Sequence, residues 1–381
     1  MKYLIAPDAF KGSLTASEAA GAIEAGLKRA CPQARSMVLP LADGGEGSAA
    51  TLQTALKGRR IEVTVQGPLG DAVDAHYALV QAGRVAVIEV AQACGLIQIP
   101  PNLRNPLATT TFGVGQLIRH ALDRRIEEIW VCLGGSATVD GGLGMACALG
   151  AKGFDTFENA VSPNGKGLID LRQLDLDEMD PRLQQVKVLA LCDVDNVLAG
   201  PDGASMFMTQ KGADAATVEV LDNALTRWGA LLHQVQGIEV THLPGAGAAG
   251  GLGAGLAGLL NAKLTPGIDF ILDRLRIDQH LLDSDVVLTG EGRLDEQTIR
   301  GKVVAGLAKR AQAYGVPVLA FCGTAEGKLD ALYALGIRHI YPLAQAVGDI
   351  DDAMKNAASY LEETAFFVGR QLMTKGIPAR T

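Results

Sequence analysis

The chain opens on a short apolar run, YLIAPD, followed by a polar stretch and then TASEAAGAIEAGLKRA, whose apolar residues recur at helical spacing behind a capping box made by Thr15 and Glu18. The unit repeats as SMVLPL, DGGEGS and the helical AATLQTALK, so residues 1–58 read as the first two β-α units of a parallel sheet. From residue 61 to 91 the pattern changes to three β-type runs, IEVTVQ, AHYALVQ and RVAVIEVA. The short turns between them, GPLGD and AGR, predict antiparallel hairpins.

Beyond these hairpins the pattern predicts a helix over 113–125, a strand EEIWVCL, a loop GGSATVDGG and a helix through 145–151. A strand VKVLALCD then ends in Asp193, a long helix covers 215–236, and PGAGAAGGLGAG leads into a helix ending near Asn261. Near Asp285 the parallel style returns as VVLTGE, a helix, PVLAFCG, a helix, HIYPLA and a last helix beginning near Asp349. The expected fold class is α/β: a discontinuous parallel-sheet domain of flavodoxin or Rossmann-like kind, residues 1–60 plus 282–381, interrupted by a second, mixed α/β domain over 61–281. The active site is expected in the cleft between the two, with hinge closure excluding water.

In the outer domain each strand exits into a polar, glycine-bearing loop: AFKGS, DGGEGS, EGRLDEQT and GTAEG. Open parallel sheets bind ligands beyond the carboxyl ends of their strands, where loops meet helix N-termini, so these loops mark the candidate ligand edge.

Composition narrows the function. The 381 residues are 48% hydrophobic and 20% charged, enough for sizeable cores, and at this length two domains are expected. The net charge of −8 argues against a nucleic-acid or acidic-membrane binder. Six cysteines stand singly with no CxxC, as in a reduced cytoplasmic protein, and no HExxH or HxH offers a zinc site, so any metal is expected to be held by oxygen. The initial apolar run is too short for a signal sequence, and no stretch reaches the ~18 apolar residues of a membrane span.

Four loops carry candidate chemistry. Lys11, in FKGS beside Gly12 and Ser13, suits a phosphate or carboxylate. Asp43 and Glu46 in ADGGEGS, and Glu291, Arg293 and Asp295 in TGEGRLDEQT, provide the oxygen ligands and mixed charges of an anion-plus-Mg²⁺ site; Lys302 follows. In GGSATVDGGLG the glycines Gly134 and Gly135, the hydroxyls of Ser136 and Thr138, and Asp140 ahead of a helix suggest a backbone nest for phosphates. Asp193, followed by Asp195 and Asn196, is a strand-end carboxylate able to accept the proton of a substrate hydroxyl. No GxxxxGK[ST] loop is present, and residues 245–250, GAGAAG, satisfy GxGxxG only formally, leaving an NAD-linked dehydrogenase as a remote alternative.

Together APDAFKGSLTASEAA, ADGGEGS, LGGSATVDGGLGMACALGAK, LCDVDN, QKGA, PGAGAAGGLGAG and TGEGRLDEQTIRGK resemble, in order and spacing over residues 1 to about 370, the bacterial glycerate kinase type-1 family. The resemblance implies a phosphotransferase with an alcohol acceptor, using ATP and Mg²⁺ to convert D-glycerate to 2-phosphoglycerate in glycerate, glyoxylate or sugar-diacid breakdown. The alternatives are 3-phosphoglycerate as product, or a non-catalytic sugar-acid sensor. Ala9 and Val139 stand where the family commonly has Ser and Asn.

Within these motifs chemistry suggests Asp193 as base, with Lys11 and Arg293 gripping the carboxylate or the transferring phosphate. Asp43, Glu291 and Asp295 are the metal candidates. Gly134, Gly135, Ser136, Thr138, Gly245 and Gly247 would line the nucleotide phosphates, and Asp195, Lys211, Gly12 and Ser13 the substrate. The expected partners are D-glycerate and ATP, with no nucleic acid and no membrane; monomer or homo-oligomer is left open.

Overall fold

In the computed structural model of the chain, residues 1–295, 298, 302–344 and 350–376 are described. Their strands, in chain order, are β1 Lys2–Ile5, β2 Arg35–Val38, β3 Arg59–Gln66, β4 Ala72–Val80, β5 Val85–Glu89, β6 Glu128–Cys132, β7 Lys152–Phe154, β8 Gln173–Asp175, β9 Lys187–Cys192, β10 Lys263–Pro266, β11 Val286–Leu294, β12 Val318–Ala325 and β13 Ile337–Pro342. The chain forms a discontinuous parallel-sheet unit, Met1–Asp43 with Gly267–Thr381, interrupted by a mixed α/β unit, Gly44–Pro266.

These boundaries differ from the expected 60 and 282 for a packing reason at each end. Helix Ser48–Ala55 belongs with the second sheet, because Glu89 at the end of β5 accepts a hydrogen bond from Ala49 N (2.6 Å). Helices Gly267–Arg274 and Ile277–Leu282 belong with the first unit. Arg310 of helix Val303–Ala313 bonds Asp273 at 2.7 Å and Asp278 at 2.9 Å, and Gly306 makes room for Ile268.

The first unit's sheet runs β13-β12-β11-β1-β2, all parallel. Its inner strands β1, β11 and β12 carry buried apolar runs because helices cover both faces. Helix Ala16–Ala30, with the Thr15–Glu18 capping box in place, lies so close to helix Ala357–Lys375 that a Cβ on Gly26 would strike Glu362 O. Tyr3, Ile5, Ile23, Leu27, Phe321 and Leu361 are buried in the resulting core. The expected helix start near Asp349 lies outside the described residues; helices Ile350–Lys355 and Ala357–Lys375 follow.

In the second unit the sheet order is β10-β9-β6-β5-β4-β3. β3, β4 and β5 pair antiparallel as their turns predict, and β5, β6, β9 and β10 are parallel. The long helix falls at Ala215–Gln236, between an Asp214 N-cap and a left-handed Gly237. The β7–β8 hairpin and β10 are not readable as strands in the sequence, since runs of three or four residues carry no usable alternation. Among the described residues no helix is long and apolar enough to cross a membrane, and none of the six cysteines is in a disulfide.

Candidate active site

Three strand ends of the first unit lie side by side. Beyond β1 the chain continues along β11, with Asp8 N donating to Gly290 O at 2.8 Å, while Leu41 N donates to Pro7 O at 2.9 Å and draws the segment after β2 alongside. The carboxylates of Asp8, Asp43 and Glu291 are thereby buried in one neighbourhood, each about 5% exposed or less. With Lys11, Arg293 and Lys302 they line the polar part of a pocket of about 250 Å³, whose apolar part includes Phe10, Leu343 and Met354.

Lysines approach two of these carboxylates. Lys11 Nζ is 3.9 Å from Asp43 Oδ2 and Lys302 Nζ is 3.6 Å from Glu291 Oε1, while the Thr298 hydroxyl donates to Glu291 Oε1 at 3.0 Å. Asp8 accepts a hydrogen bond from Ala9 N at 2.7 Å. Burial pushes Glu291 up to about 7, against the pull of Lys302 and Thr298. Asp8 is raised well above the usual carboxylate range, by burial first and then by Asp43. Carboxylates crowded together in a dry pocket resist losing their last proton, which suits them to hold a proton or a cation.

The motif around Arg293 departs from the expected loop. β11 runs on to Leu294, so Glu291 and Arg293 stand in an extended strand, with Arg293 opposite Thr324 of β12, rather than in a loop; residues 296, 297 and 299–301 of the motif lie outside the described residues. Asp295 pairs with Arg293 at 3.2 Å and is not part of the pocket wall, while Arg293 also bonds Glu326 at 2.8 Å. Ser13 gives its hydroxyl hydrogen to Met354 O at 2.6 Å, and Gly12 takes a left-handed φ of 82° against the Met354 side chain. Ser13 is part of the pocket wall.

Among the described residues no group of three side chains is arranged to hold a metal ion unaided. Two buried carboxylates, Asp43 and Glu291, fit Mg²⁺ all the same, since that ion takes one or two carboxylates and completes its octahedron with phosphate and water.

The glycine-rich loop after β6 belongs to the second unit, and here the structure changes the reading of Asp140. Its fully buried carboxylate accepts from Thr111 N and Oγ1, both 2.8 Å, from Gly142 N at 3.1 Å and from Gly144 N at 3.2 Å. It therefore occupies the start of helix Leu143–Ala148, where a phosphate nest was expected. The rest of the loop is differently furnished. Lys211, 4% exposed, donates to Ser136 Oγ at 3.0 Å and to Thr138 O at 2.9 Å, and Gly135 turns with φ 71°.

The string GAGAAG packs against this loop. Gly250, at φ 69°, sits where a Cβ would strike Thr138 O; a Cβ on Gly245 would meet Cys192 Sγ, and one on Gly247 would meet Val197 O. Gly245 and Gly247 thus have packing reasons of their own. Residues 237–247 form no strand, so the strand-turn-helix context of a dinucleotide fingerprint is missing. Asp193 is half-buried just past β9, and Asp195 is exposed.

Sequence reasoning missed Asp8 and Thr298. Asp8 carried a signal, being the polar end of the apolar run YLIAPD as Asp193 is of VKVLALCD.

A parallel-sheet unit with buried carboxylates and lysines at its carboxyl edge, interrupted by a mixed unit with a lysine-braced glycine loop, has the equipment of a phosphotransferase. The model of the glycerate kinase family matches residues 3–373, and the chain belongs to that family; it is a kinase. It is 46% identical over 363 residues to a glycerate kinase of Halalkalibacterium halodurans, covering 95% of this chain and 96% of that one. To the glycerate 2-kinase of Escherichia coli it is 40% identical over 358 residues, 94% of each chain. The crystal structure of a putative glycerate kinase 2 from Salmonella typhimurium LT2 superposes with a TM-score of 0.85 at 44% identity, covering 98% of both chains.

Proposed function

We propose that the enzyme transfers the terminal phosphoryl group of ATP to the 2-hydroxyl of D-glycerate, giving 2-phosphoglycerate and ADP, with Mg²⁺. The observation that carries this reading is the pocket in which lysines stand over buried strand-end carboxylates: cations for an anionic substrate, and oxygens for its counter-ion. The glycerate 2-kinase name of the Escherichia coli relative supports the choice of hydroxyl. A pocket of about 250 Å³ suits a three-carbon acid.

In this reading Lys11 and Arg293 neutralise the carboxylate or the phosphoryl oxygens, Lys11 from a backbone that lies against Gly292 and Arg293 by exchanging its pairs with Asp295 and Glu326 for the substrate. Asp43 and Glu291 would hold Mg²⁺, which when bound screens the charge of the phosphoryl oxygens. Asp193 accepts the hydroxyl proton. A second reading, in which Glu291 is the proton acceptor, is favoured by its value of about 7, near the working pH of a general base.

Coupled ADP release with D-glycerate and Mg-ATP tests the reaction, and ³¹P NMR of the product tests the position. Phosphate on the 3-hydroxyl would overturn the regiochemistry, and no ADP release would overturn the reaction. Asp193→Asn with near-normal turnover, alongside an inactive Glu291→Gln, would move the base to Glu291.

A further inference from the structure

Lys211 is a buried cation that forms no ion pair among the described residues. An ammonium has three N–H donors, and two of them reach Ser136 Oγ and Thr138 O. The groups that act on it electrically are Cys94 and Asp140. Burial pushes the Cys94 thiol up to about 12, so it stays neutral, and the Asp140 carboxylate is committed to the donors of Thr111, Gly142 and Gly144.

A second, independent observation lies beside it. The Thr138 hydroxyl is fully buried and bonds no nitrogen or oxygen among the described residues; its neighbour is the Cys94 thiol. Such a group costs about 1–3 kcal/mol if left unmade, and an unpaired buried ammonium costs more. The two meet at one stretch of loop, since the ammonium donates to Ser136 Oγ and Thr138 O, and the backbone there is fixed by the close approach of Gly250 to Thr138 O.

We propose that Lys211, with the hydroxyls of Ser136 and Thr138, forms a binding site for a phosphate group, and that Lys211 thus serves the phosphoryl donor rather than the glycerate carboxylate. The inference rests on the reading of this chain as an ATP-dependent kinase. An incoming phosphate oxygen would take the third ammonium N–H and the threonine hydrogen, two charge-assisted bonds that no group of the described protein supplies. The nucleotide phosphates and the phosphate of the phosphorylated product share this chemistry, and the first is the expected occupant.

The test is calorimetric binding of ATP, of inorganic phosphate and of 2-phosphoglycerate to wild type, Lys211→Met and Thr138→Val. Thr138→Val removes a hydroxyl that bonds no nitrogen or oxygen among the described residues, without disturbing shape, and near-ultraviolet circular dichroism of Trp228, whose indole donates to Gly141 O at 2.8 Å, reports whether the loop is intact. Lys211→Met is expected to weaken ATP about tenfold or more, and Thr138→Val about threefold, both with unchanged dichroism. The ATP affinity of wild type should also fall as pH rises past 8, while that of Lys211→Met stays level. Both variants binding ATP and phosphate as wild type does would overturn the site, as would a loss confined to 2-phosphoglycerate, which would return Lys211 to the acceptor. If wild type binds ATP through Lys211 yet makes no phosphoglycerate, the site stands and the reaction falls. If it makes phosphoglycerate and Lys211→Met keeps its KM for ATP, the reaction stands and the site falls.

Discussion

In the first unit Asp8, Asp43 and Glu291 are buried at neighbouring strand ends, with lysines 3.6–3.9 Å from two of them. In the second unit Asp140 is as deeply buried, yet four donors from Thr111, Gly142 and Gly144 converge on it. The difference separates two uses of a buried carboxylate. One whose lone pairs are filled by fixed backbone N–H groups has little left to offer a ligand, and it works as a helix cap that locks one segment to another. A cluster of carboxylates crowded at neighbouring strand ends, in which Asp8 and Glu291 are held toward their protonated forms, concentrates negative charge that a cation or substrate can relieve. Burial alone does not distinguish the two; what surrounds the carboxylate, converging donors or other carboxylates, does.

The comparison breaks most clearly on activity. Asp43→Asn and Glu291→Gln should each lower kcat/KM for glycerate roughly a thousandfold while leaving the unfolding midpoint close to wild type. A steady-state assay with circular dichroism of the same samples checks this. If either variant unfolds the protein instead, the first cluster is structural after all.

Asp140→Asn should do the reverse. The amide keeps one acceptor but turns an NH₂ toward donors, so stability should fall by about 3 kcal/mol. Denaturant titration measures the loss, and turnover of the protein that remains folded should stay within about threefold of wild type at saturating ATP. A fully stable but inactive variant would mean that Asp140 acts on substrate.

The sequence carried the fold further than it carried this distinction. The runs YLIAPD, EEIWVCL, VKVLALCD and VVLTGE became strands, and helix Ala215–Gln236 was legible to the residue because Asp214 and Gly237 punctuate it. The domain boundaries were less legible, since the side chains of Ser48–Ala55 show an apolar stripe without showing which sheet it covers. At the site, Lys11, Asp43 and Glu291 could be picked out as polar residues closing apolar strands. Asp140 was misread because an aspartate before a helix in a glycine-rich loop looks the same whether it caps the helix or yields it to a phosphate. What settles the matter is Thr111, 29 positions earlier in the chain, and that proximity exists only in three dimensions. Lys211 sits in a QKG turn of ordinary surface type, and nothing local announces its burial.

The last and smallest expected effect concerns proton linkage, where the two units should pull in opposite directions. Glu291 is pushed by burial from an ordinary 4.5 up to about 7, so between those values the native state keeps a proton that the unfolded chain has lost. Its contribution to stability is complete below about 4.5 and disappears as pH rises through about 7. Burial pushes Lys211 from 10.5 down to about 8, so there the unfolded chain holds the extra proton, and the stability present above 10.5 is lost as pH falls through about 8. Each shift corresponds to about 3 kcal/mol at most, less where the unfolded chain retains structure. In metal-free and phosphate-free buffer, stability should therefore decline from pH 5 to pH 7 and climb from pH 8 to pH 10. Glu291→Gln should flatten the first limb in part, because Asp8 is displaced in the same direction, and Lys211→Met should flatten the second. Added Mg²⁺ should act on the first limb alone, and added phosphate on the second alone. If either addition moves both limbs equally, the carboxylate cluster and the lysine loop are not separate stores of charge, and the contrast between the two units fails.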